Sequence, residues 1–502
     1  MSRSKILVCS VLTLLFLSLP AVSVCAGEPD LAGDWQGVLE VPGGTLRLAV
    51  HLSREGDAWR GTLDSPDQGA SGLGLKDIEV KGDRLSFGLV AVPARFEGVH
   101  DAATDTIKGH WIQGGRLPLT LARGVVKRRA RPQEPKEAKG ERPYDEEEVV
   151  YSHDPEAGLE ASFRLGGGGP VSLSGTLTMP KDSGAPFPAV ILVSGSGPQD
   201  RDETIADHKP FLVLADRLTR QGFAVLRYDD RGVGSSTGEF GQATSFDFVR
   251  DCRAGLRYLR SRRDIDPRRL VVAGHSEGGL IAPLVAEREP GLAGIILLAG
   301  PAVNGREILL YQGRKIREAM GMPAESVKLE GDFQEKLLQI ASGNAPREVK
   351  ARELEALVSA RLDTLPKAVR ERAGRQLRAQ TRQLLTPWFQ AFLGHDPAAP
   401  LKRVRCPVLA LFGGKDLQVH PDQNLVPMVQ ALDAGPCEDF SVLRLEGLNH
   451  LFQPASTGAP LEYAQIKTTM APRVFRLMAT WLRGLPAGPE VARPDPRRPR
   501  LY

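Results

Sequence analysis

The chain has 502 residues, enough for two or three domains that each bury a core of their own. Charged residues make up 25% and the hydrophobic set 41%, which is globular usage and excludes a fibrous or wholly disordered chain. The net charge of +4 is small for this size. With no zinc-finger spacing, long basic helix or aromatic–basic interleaving beside it, nucleic acid is not an expected partner.

Arg3 and Lys5 precede an apolar run over 6–19, and Val24-Cys-Ala26 supplies a small-residue cleavage site before Gly27. This pattern predicts a signal peptide over 1–26 and hence an exported, periplasmic or extracellular protein with no stable membrane insertion after cleavage. The run is short for a membrane span. Val24 is bulkier than the residue that normally precedes a lipidated cysteine, so lipidation at Cys25 and a retained anchor are the lesser alternatives. After cleavage only Cys252, Cys406 and Cys437 remain. Three cysteines without framework or metal spacing read as small buried hydrophobes, with scope for one disulfide.

From 27 to 124 short alternating strands are separated by glycine-rich turns, as in Trp35-Gln-Gly-Val-Leu-Glu-Val41 and Thr106-Ile-Lys-Gly-His-Trp111. Period-two alternation at this spacing predicts a small antiparallel barrel or sandwich. Trp35, Trp59 and Trp111 read as core and rim aromatics, with a ligand platform as the alternative. The stretch 125–145 is rich in Lys, Arg, Glu and Pro and reads as a linker, and His153 beyond it as a surface histidine. Strand-like pieces follow at 159–163 and 171–179.

A buried strand at 189–193 then opens a regular alternation. Helical stretches at 211–221 and 246–260 separate strands at 224–228 and 270–273, and a helix from Gly279 precedes a strand at 295–299. Nearly continuous apolar strands between amphipathic helices mean a mostly parallel sheet covered on both faces, spanning 146–303 and 398–484. The block 304–397 carries only helical patterns and reads as a lid inserted into that series. Strands resume at 408–412 and 440–444, with helices at 422–432 and 471–482. The Pro- and Arg-rich tail 485–502 reads as disordered.

The stretch Val271-Val-Ala-Gly-His-Ser-Glu-Gly-Gly279 places Gly-x-Ser-x-Gly between a strand and a helix. That is the context of a nucleophile elbow, in which Gly274 and Gly278 let strand and helix pass closely around Ser276. His275 is expected to pack beside the serine without taking its proton. A serine hydroxyl needs a base oriented by an acid, in the chain order Ser, Asp or Glu, His, at later strand ends. Asp416 follows the strand at 408–412 and His450 the strand at 440–445. Glu446 and Asp422 compete as the acid, although Asp422 opens a helix where capping explains it. His420 is too near Asp416 in sequence to be the late histidine. For the oxyanion the backbone N–H of Glu277 is one expected donor, and Ser196 or Gly197 in Ser194-Gly-Ser-Gly-Pro198 the other. No metal or organic cofactor is required.

The segments Ser194-Gly-Ser-Gly-Pro-Gln-Asp-Arg-Asp202, Leu226-Arg-Tyr-Asp-Asp-Arg-Gly-Val-Gly-Ser235, Gly274-His-Ser-Glu-Gly278, Phe412-Gly-Gly-Lys-Asp-Leu-Gln-Val419 and Gly447-Leu-Asn-His-Leu-Phe452 together resemble the α/β-hydrolase superfamily. More narrowly, they are similar to secreted bacterial serine esterases related to the prolyl-oligopeptidase-like and BAAT/dienelactone-hydrolase-like groups. The resemblance spans roughly 148–482. It implies Ser276 as nucleophile, Asp416 as orienting acid, His450 as base, and Ser196 or Gly197 with Glu277 at the oxyanion. It also implies a small-molecule acyl ester substrate of short to medium chain, with peptidase and thioesterase relatives. This chain has Ser194-Gly195 where many relatives start the oxyanion loop with His-Gly. Asp202, Asp229 and Arg231 read as loop-bracing ion pairs. An aminopeptidase would need a lid acid for a free amine, for which Glu348, Glu353 and Glu355 are candidates. The non-enzyme alternative is a surface-binding protein with an inactive hydrolase domain.

Overall fold

The computed structural model describes residues 30–490 apart from 42–43, 57, 69, 91–93, 114, 127–130, 139, 154–169, 182–183 and 366. The leader expected over 1–26, the strand expected at 159–163 and the tail from 491 lie outside the described residues.

Eight strands form an N-terminal closed barrel: β1 (Gly33–Val41), β2 (Gly44–Glu55), β3 (Ala58–Ser65), β4 (Ala70–Lys81), β5 (Arg84–Leu89), β6 (Arg95–Asp101), β7 (Thr106–Ile112) and β8 (Arg116–Arg123). Neighbours in sequence pair antiparallel, and β1 closes on β8 through Trp35 opposite Arg123. Closure leaves no sheet edge exposed. Alternate residues such as Leu85, Phe87, Phe96, Ile107, Trp111 and Leu121 fill the interior with Trp35. The Trp35 indole N–H donates to Leu31 O at 2.9 Å, whereas Trp59 sits half-buried under Arg54.

The second domain is an eight-stranded mixed sheet built from β9 (Tyr144–His153), β10 (Val171–Pro180), β11 (Phe187–Val193), β12 (Ala224–Tyr228), β13 (Ile265–His275), β14 (Gly294–Leu298), β15 (Val408–Gly413) and β16 (Phe440–Leu445). Their order is β16-β15-β14-β13-β11-β12-β10-β9. From β12 to β16 all pairs are parallel, while β10 runs antiparallel to both β12 and β9. Helices α1 (Pro210–Thr219), α2 (Ser245–Ser261) and α3 (Glu277–Arg288) connect the central strands. Strand β13 lies between β11, which precedes it, and β14, which follows it. The chain runs from β11 out to β12 and then back across β11 to β13, so its direction across the sheet reverses between β11 and β13. The crevice at the carboxyl ends of such strands is where open α/β sheets bind ligands. Helix α2 starts where Asp247 Oδ2 accepts the Thr244 N–H at 2.8 Å, the reciprocal half of a capping box.

Between β14 and β15 the chain is helical: α4 (Gly305–Ala319), α5 (Ala324–Ser342), α6 (Arg347–Asp363), α7 (Lys367–Gln383), α8 (Pro387–Gly394) and α9 (Ala398–Leu401). Leu338, Ala341, Leu354, Leu384, Leu385 and Leu393 give this insertion a core of its own. Helices α10 (Pro421–Asp433) and α11 (Pro472–Gly484) complete the domain.

Several local expectations need correction. The charged stretch before β9 is docked rather than free: the Arg131 guanidinium is buried and donates to Ala206 O, Ala464 O and Ile466 O. Three carbonyls left over by loop backbone suit one planar cation with several donors. Arg47 of β2 pairs with Asp67 and with Asp207, joining the barrel to the same region. His153 is not on the surface; its Nε2 lies 2.7 Å from Asp251 Oδ1 on α2, and Arg231 shares that carboxylate. The start of the tail is also held, since the Gly488 N–H donates to Arg268 O at 2.7 Å. Cys252, Cys406 and Cys437 are free thiols. No helix among the described residues is long and apolar enough to cross a membrane.

Candidate active site

Strand β13 delivers Ser276 into a tight turn before α3. Ser276 has φ 54° and ψ −113°, a conformation that L-residues avoid at a cost of about 1–3 kcal/mol. Its N–H donates to Leu298 O at 2.8 Å, which ties the turn to the end of β14. The glycines make the turn possible. A Cβ on Gly274 would lie 1.9 Å from Gly278 O, and one on Gly278 would lie 2.1 Å from Val193 O. Ser276 is partly exposed between two buried neighbours, His275 and Glu277. As the first residue of α3, Glu277 has an N–H with no partner inside the helix, as has Gly278 after it.

Asp416 and His450 meet at the ends of two neighbouring strands. Asp416 follows β15 and is wholly buried. Its Oδ1 accepts the Gln418 and Val419 N–H groups at 2.7 and 2.9 Å, and its Oδ2 lies 2.8 Å from His450 Nδ1. With Nδ1 donating to a carboxylate, the neutral ring keeps its lone pair on Nε2. Asn449 shapes the His450 loop by accepting the Leu451 and Gln453 N–H groups on Oδ1. His275 ties that loop to the elbow, because its Nε2 donates to His450 O at 3.0 Å and the two rings lie 4.8 Å apart.

The loop after β11 presses on the serine. A Cβ on Gly195 would lie 3.2 Å from Ser276 Cβ, and the Gly195 N–H donates to Glu203 Oε1 at 2.9 Å. Ser196 is exposed and Gly197 takes φ +93°, so the chain bends here in a conformation that favours glycine. Asp230 braces the loop, accepting Ser194 Oγ–H at 2.9 Å and the Gln199 N–H at 3.0 Å. Burial pushes its carboxyl well above the usual range against those two donors. Asp229 pairs with Arg201, Asp202 with Arg227 and Lys209, and Arg231 with Asp247 and Asp251.

The competing residues lie elsewhere. Glu446 is exposed and pairs with Arg444. Asp422 does not cap α10; the cap is His420, whose Nδ1 accepts the Asp422 N–H at 3.2 Å, while Asp422 pairs with Arg444. Glu348 and Glu353 are on the solvent side of α6, and Glu355 binds Arg378 at 2.6 Å.

Three contributors carry little sequence signal. Glu203 contacts the elbow only through tertiary approach, and Asn449 is one more asparagine in a loop. The third is Trp388 of α8, whose indole N–H donates to Glu277 Oε1 at 2.7 Å. Ser245 Oγ–H donates to the same oxygen at 2.6 Å, and Glu277 Oε2 is buried without a hydrogen-bond partner among the described residues. Burial raises the Glu277 carboxyl above its ordinary value, opposed by those two donors. The helical insertion therefore reaches the residue that follows the serine.

Comparison with known proteins bears on the same region. The family described as serine aminopeptidase, S33, matches residues 209–453, an interval that holds Ser276, Asp416 and His450. Esterase EstD of Thermotoga maritima is 30% identical over 331 residues, covering 66% of this chain and 68% of that protein. Among solved structures, an esterase of Pyrococcus furiosus is similar with a TM-score of 0.38 and 14% identity, over 68% of this chain and 91% of that one. Proline iminopeptidase of Mycobacterium smegmatis has a TM-score of 0.37 and 18% identity, over 62% of this chain and 95% of that one.

Proposed function

We propose that this chain, which belongs to the α/β-hydrolase superfamily of esterase- and peptidase-like proteins, is a carboxylesterase that works through a covalent acyl-serine. The observation that carries the reading is the strained Ser276 turn with the hydrogen-bonded Asp416–His450 pair tied against it through His275.

Ser276 Oγ attacks the ester carbonyl while His450 Nε2 takes its proton. Asp416 holds the ring in the tautomer that leaves Nε2 free and balances the imidazolium that forms. The oxyanion is met by the Glu277 N–H at the start of α3 and by the loop 194–198, in which Ser196 and Gly197 are the candidate donors. His450 then returns the proton to the leaving alcohol. Water, deprotonated by the same ring, attacks the acyl-serine, and its proton passes back to Ser276 as the acid leaves.

Esters of short to medium chain are the proposed substrates, supported by the likeness to an esterase over two thirds of both chains. The charged start of the chain and its apolar run support export of the mature protein. A panel of p-nitrophenyl esters of graded chain length, with amino-acyl amides and thioesters alongside, tests the substrate class. Ester turnover that vanishes in Ser276→Ala is the expected result. Turnover of amides but not esters would replace the proposal by a peptidase, and unchanged turnover in Ser276→Ala would remove the serine from it.

A further inference from the structure

We propose that Glu203 and His275 form a second acid–histidine pair, distinct from Asp416–His450, that positions the loop over Ser276, the elbow and the His450 loop as one unit. The proposal rests on the serine-hydrolase reading above and assigns these two residues a positioning role within it.

The contacts define the pair. Glu203 and His275 are 1% and 4% exposed. Glu203 Oε1 accepts the Gly195 N–H at 2.9 Å and faces His275 Nδ1 at 2.8 Å. On the far side of the ring, Nε2 faces His450 O at 3.0 Å. A carbonyl oxygen only accepts, so Nε2 carries a proton. With Glu203 ionised, Oε1 accepts from Nδ1 as it does from Gly195, so Nδ1 carries the other proton and His275 is an imidazolium bound to the carboxylate. Both nitrogens are occupied, which bars His275 from taking the Ser276 proton. Burial disfavours the cation, yet the charge and hydrogen bond of Glu203, with the His450 carbonyl and Asp416, raise the ring above its ordinary value. The charged and titratable groups facing the ring are Glu203 from the loop after β11, Asp416 after β15 and His450 after β16.

Two costs show that Glu203 is held in place by its surroundings. It sits at φ +51°, where a residue with a side chain is strained. Its Oε2 is buried with no hydrogen-bond partner among the described residues. What this placement secures is the Gly195 peptide: Glu203 Oε1 would stand 3.3 Å from a Cβ there, and Ser276 Cβ 3.2 Å. The direction of the Gly195 peptide sets where the following N–H groups of Ser196 and Gly197 point.

The test is Glu203→Gln in the full chain, read on a p-nitrophenyl ester with kcat, KM and the pH profile. Loss of about 1 Å of positioning lowers kcat by roughly 10²-fold with KM little changed. Without the carboxylate, burial is left to disfavour the cation, and the ring's pKa falls below its ordinary value. The variant's kcat therefore gains a descending limb as pH rises through a range below neutrality, which the wild type lacks. Wild-type kcat and profile in the variant, or a lower kcat with an unaltered profile, would overturn the pair alone. A wild type that neither cleaves any ester, amide or thioester nor reacts with an organophosphonate would instead overturn the serine-hydrolase reading, and the pair with it. Should Glu203→Gln fail to fold, ¹⁵N NMR of histidine-labelled His51→Ala decides, because His51 is the barrel histidine flanked by two carboxylates. A ring protonated on both nitrogens above the ordinary histidine value of about 6.5 is expected to persist there, and its absence overturns the pair.

Discussion

Substituting Gly278→Ala tests whether the close passage of β11 and α3 sets the geometry of Ser276. The added Cβ would stand 2.1 Å from Val193 O and 2.8 Å from Ser194 O, both backbone atoms that cannot rotate away. Real Cβ atoms keep at least 3.0 Å from such neighbours, so α3 and β11 must part by about 1 Å at the point where the serine is held. Overpacking of this kind costs about 1–3 kcal/mol of stability. A displacement of about 1 Å at the reacting atoms costs about 10²-fold in rate. The expected result is a Tm lower by several degrees and kcat/KM on a short-chain ester down about two orders of magnitude, with circular dichroism unchanged. A variant with wild-type kcat/KM and Tm would refute the reasoning, since it would mean that the turn absorbs a methyl group without moving Ser276.

Asp416→Asn keeps the acceptor for Gln418 and Val419 but turns an amide toward His450 Nδ1, favouring the wrong tautomer. A fall in kcat of about 10³–10⁴-fold is expected, and a loss under tenfold would contradict the orienting role. His208 is wholly buried, and burial first, then Arg131, lowers its pKa to about 4. An unfolded histidine titrates near 6.5. The unfolded chain therefore binds the extra proton between these values, and stability falls as pH drops from about 6.5 toward 4, by up to about 3 kcal/mol. His208→Gln is expected to flatten Tm against pH across that window; an unchanged slope contradicts it. Trp388→Phe removes one of the two donors to Glu277 Oε1. It is expected to cost about 1–3 kcal/mol and to speed hydrogen exchange in α8, whereas unchanged exchange would show that the contact does not hold the insertion down.

How much could be read from the sequence follows from the kind of interaction involved. The elbow was readable because two glycines two residues either side of a serine, between an apolar strand and a helix, solve a packing problem that has few other solutions. The places of Asp416 and His450 at strand ends were readable because apolar strands announce where they stop. Beyond local pattern, legibility ends. Glu203 shows nothing in sequence of its left-handed backbone or its contact with His275, 72 positions away. His153 lies in a polar stretch, and only the pairing of β9 with β10 and the approach of α2 bury it against Asp251. Arg131 belongs to a basic run that reads as solvated, but three loop carbonyls converge on it. The capping of α10 by His420 instead of Asp422 turns on side-chain rotamers that residue type does not decide.

The central proposal is that Ser276 carries the acyl group, and covalent capture tests it most directly. The full chain is treated with a fluorophosphonate and digested, and the modified residue is located by mass spectrometry. A single adduct on the peptide containing Ser276, abolished in Ser276→Ala and slowed by several orders of magnitude in Asp416→Asn, is the expected result. No adduct, or an adduct on another serine that persists in Ser276→Ala, would contradict it.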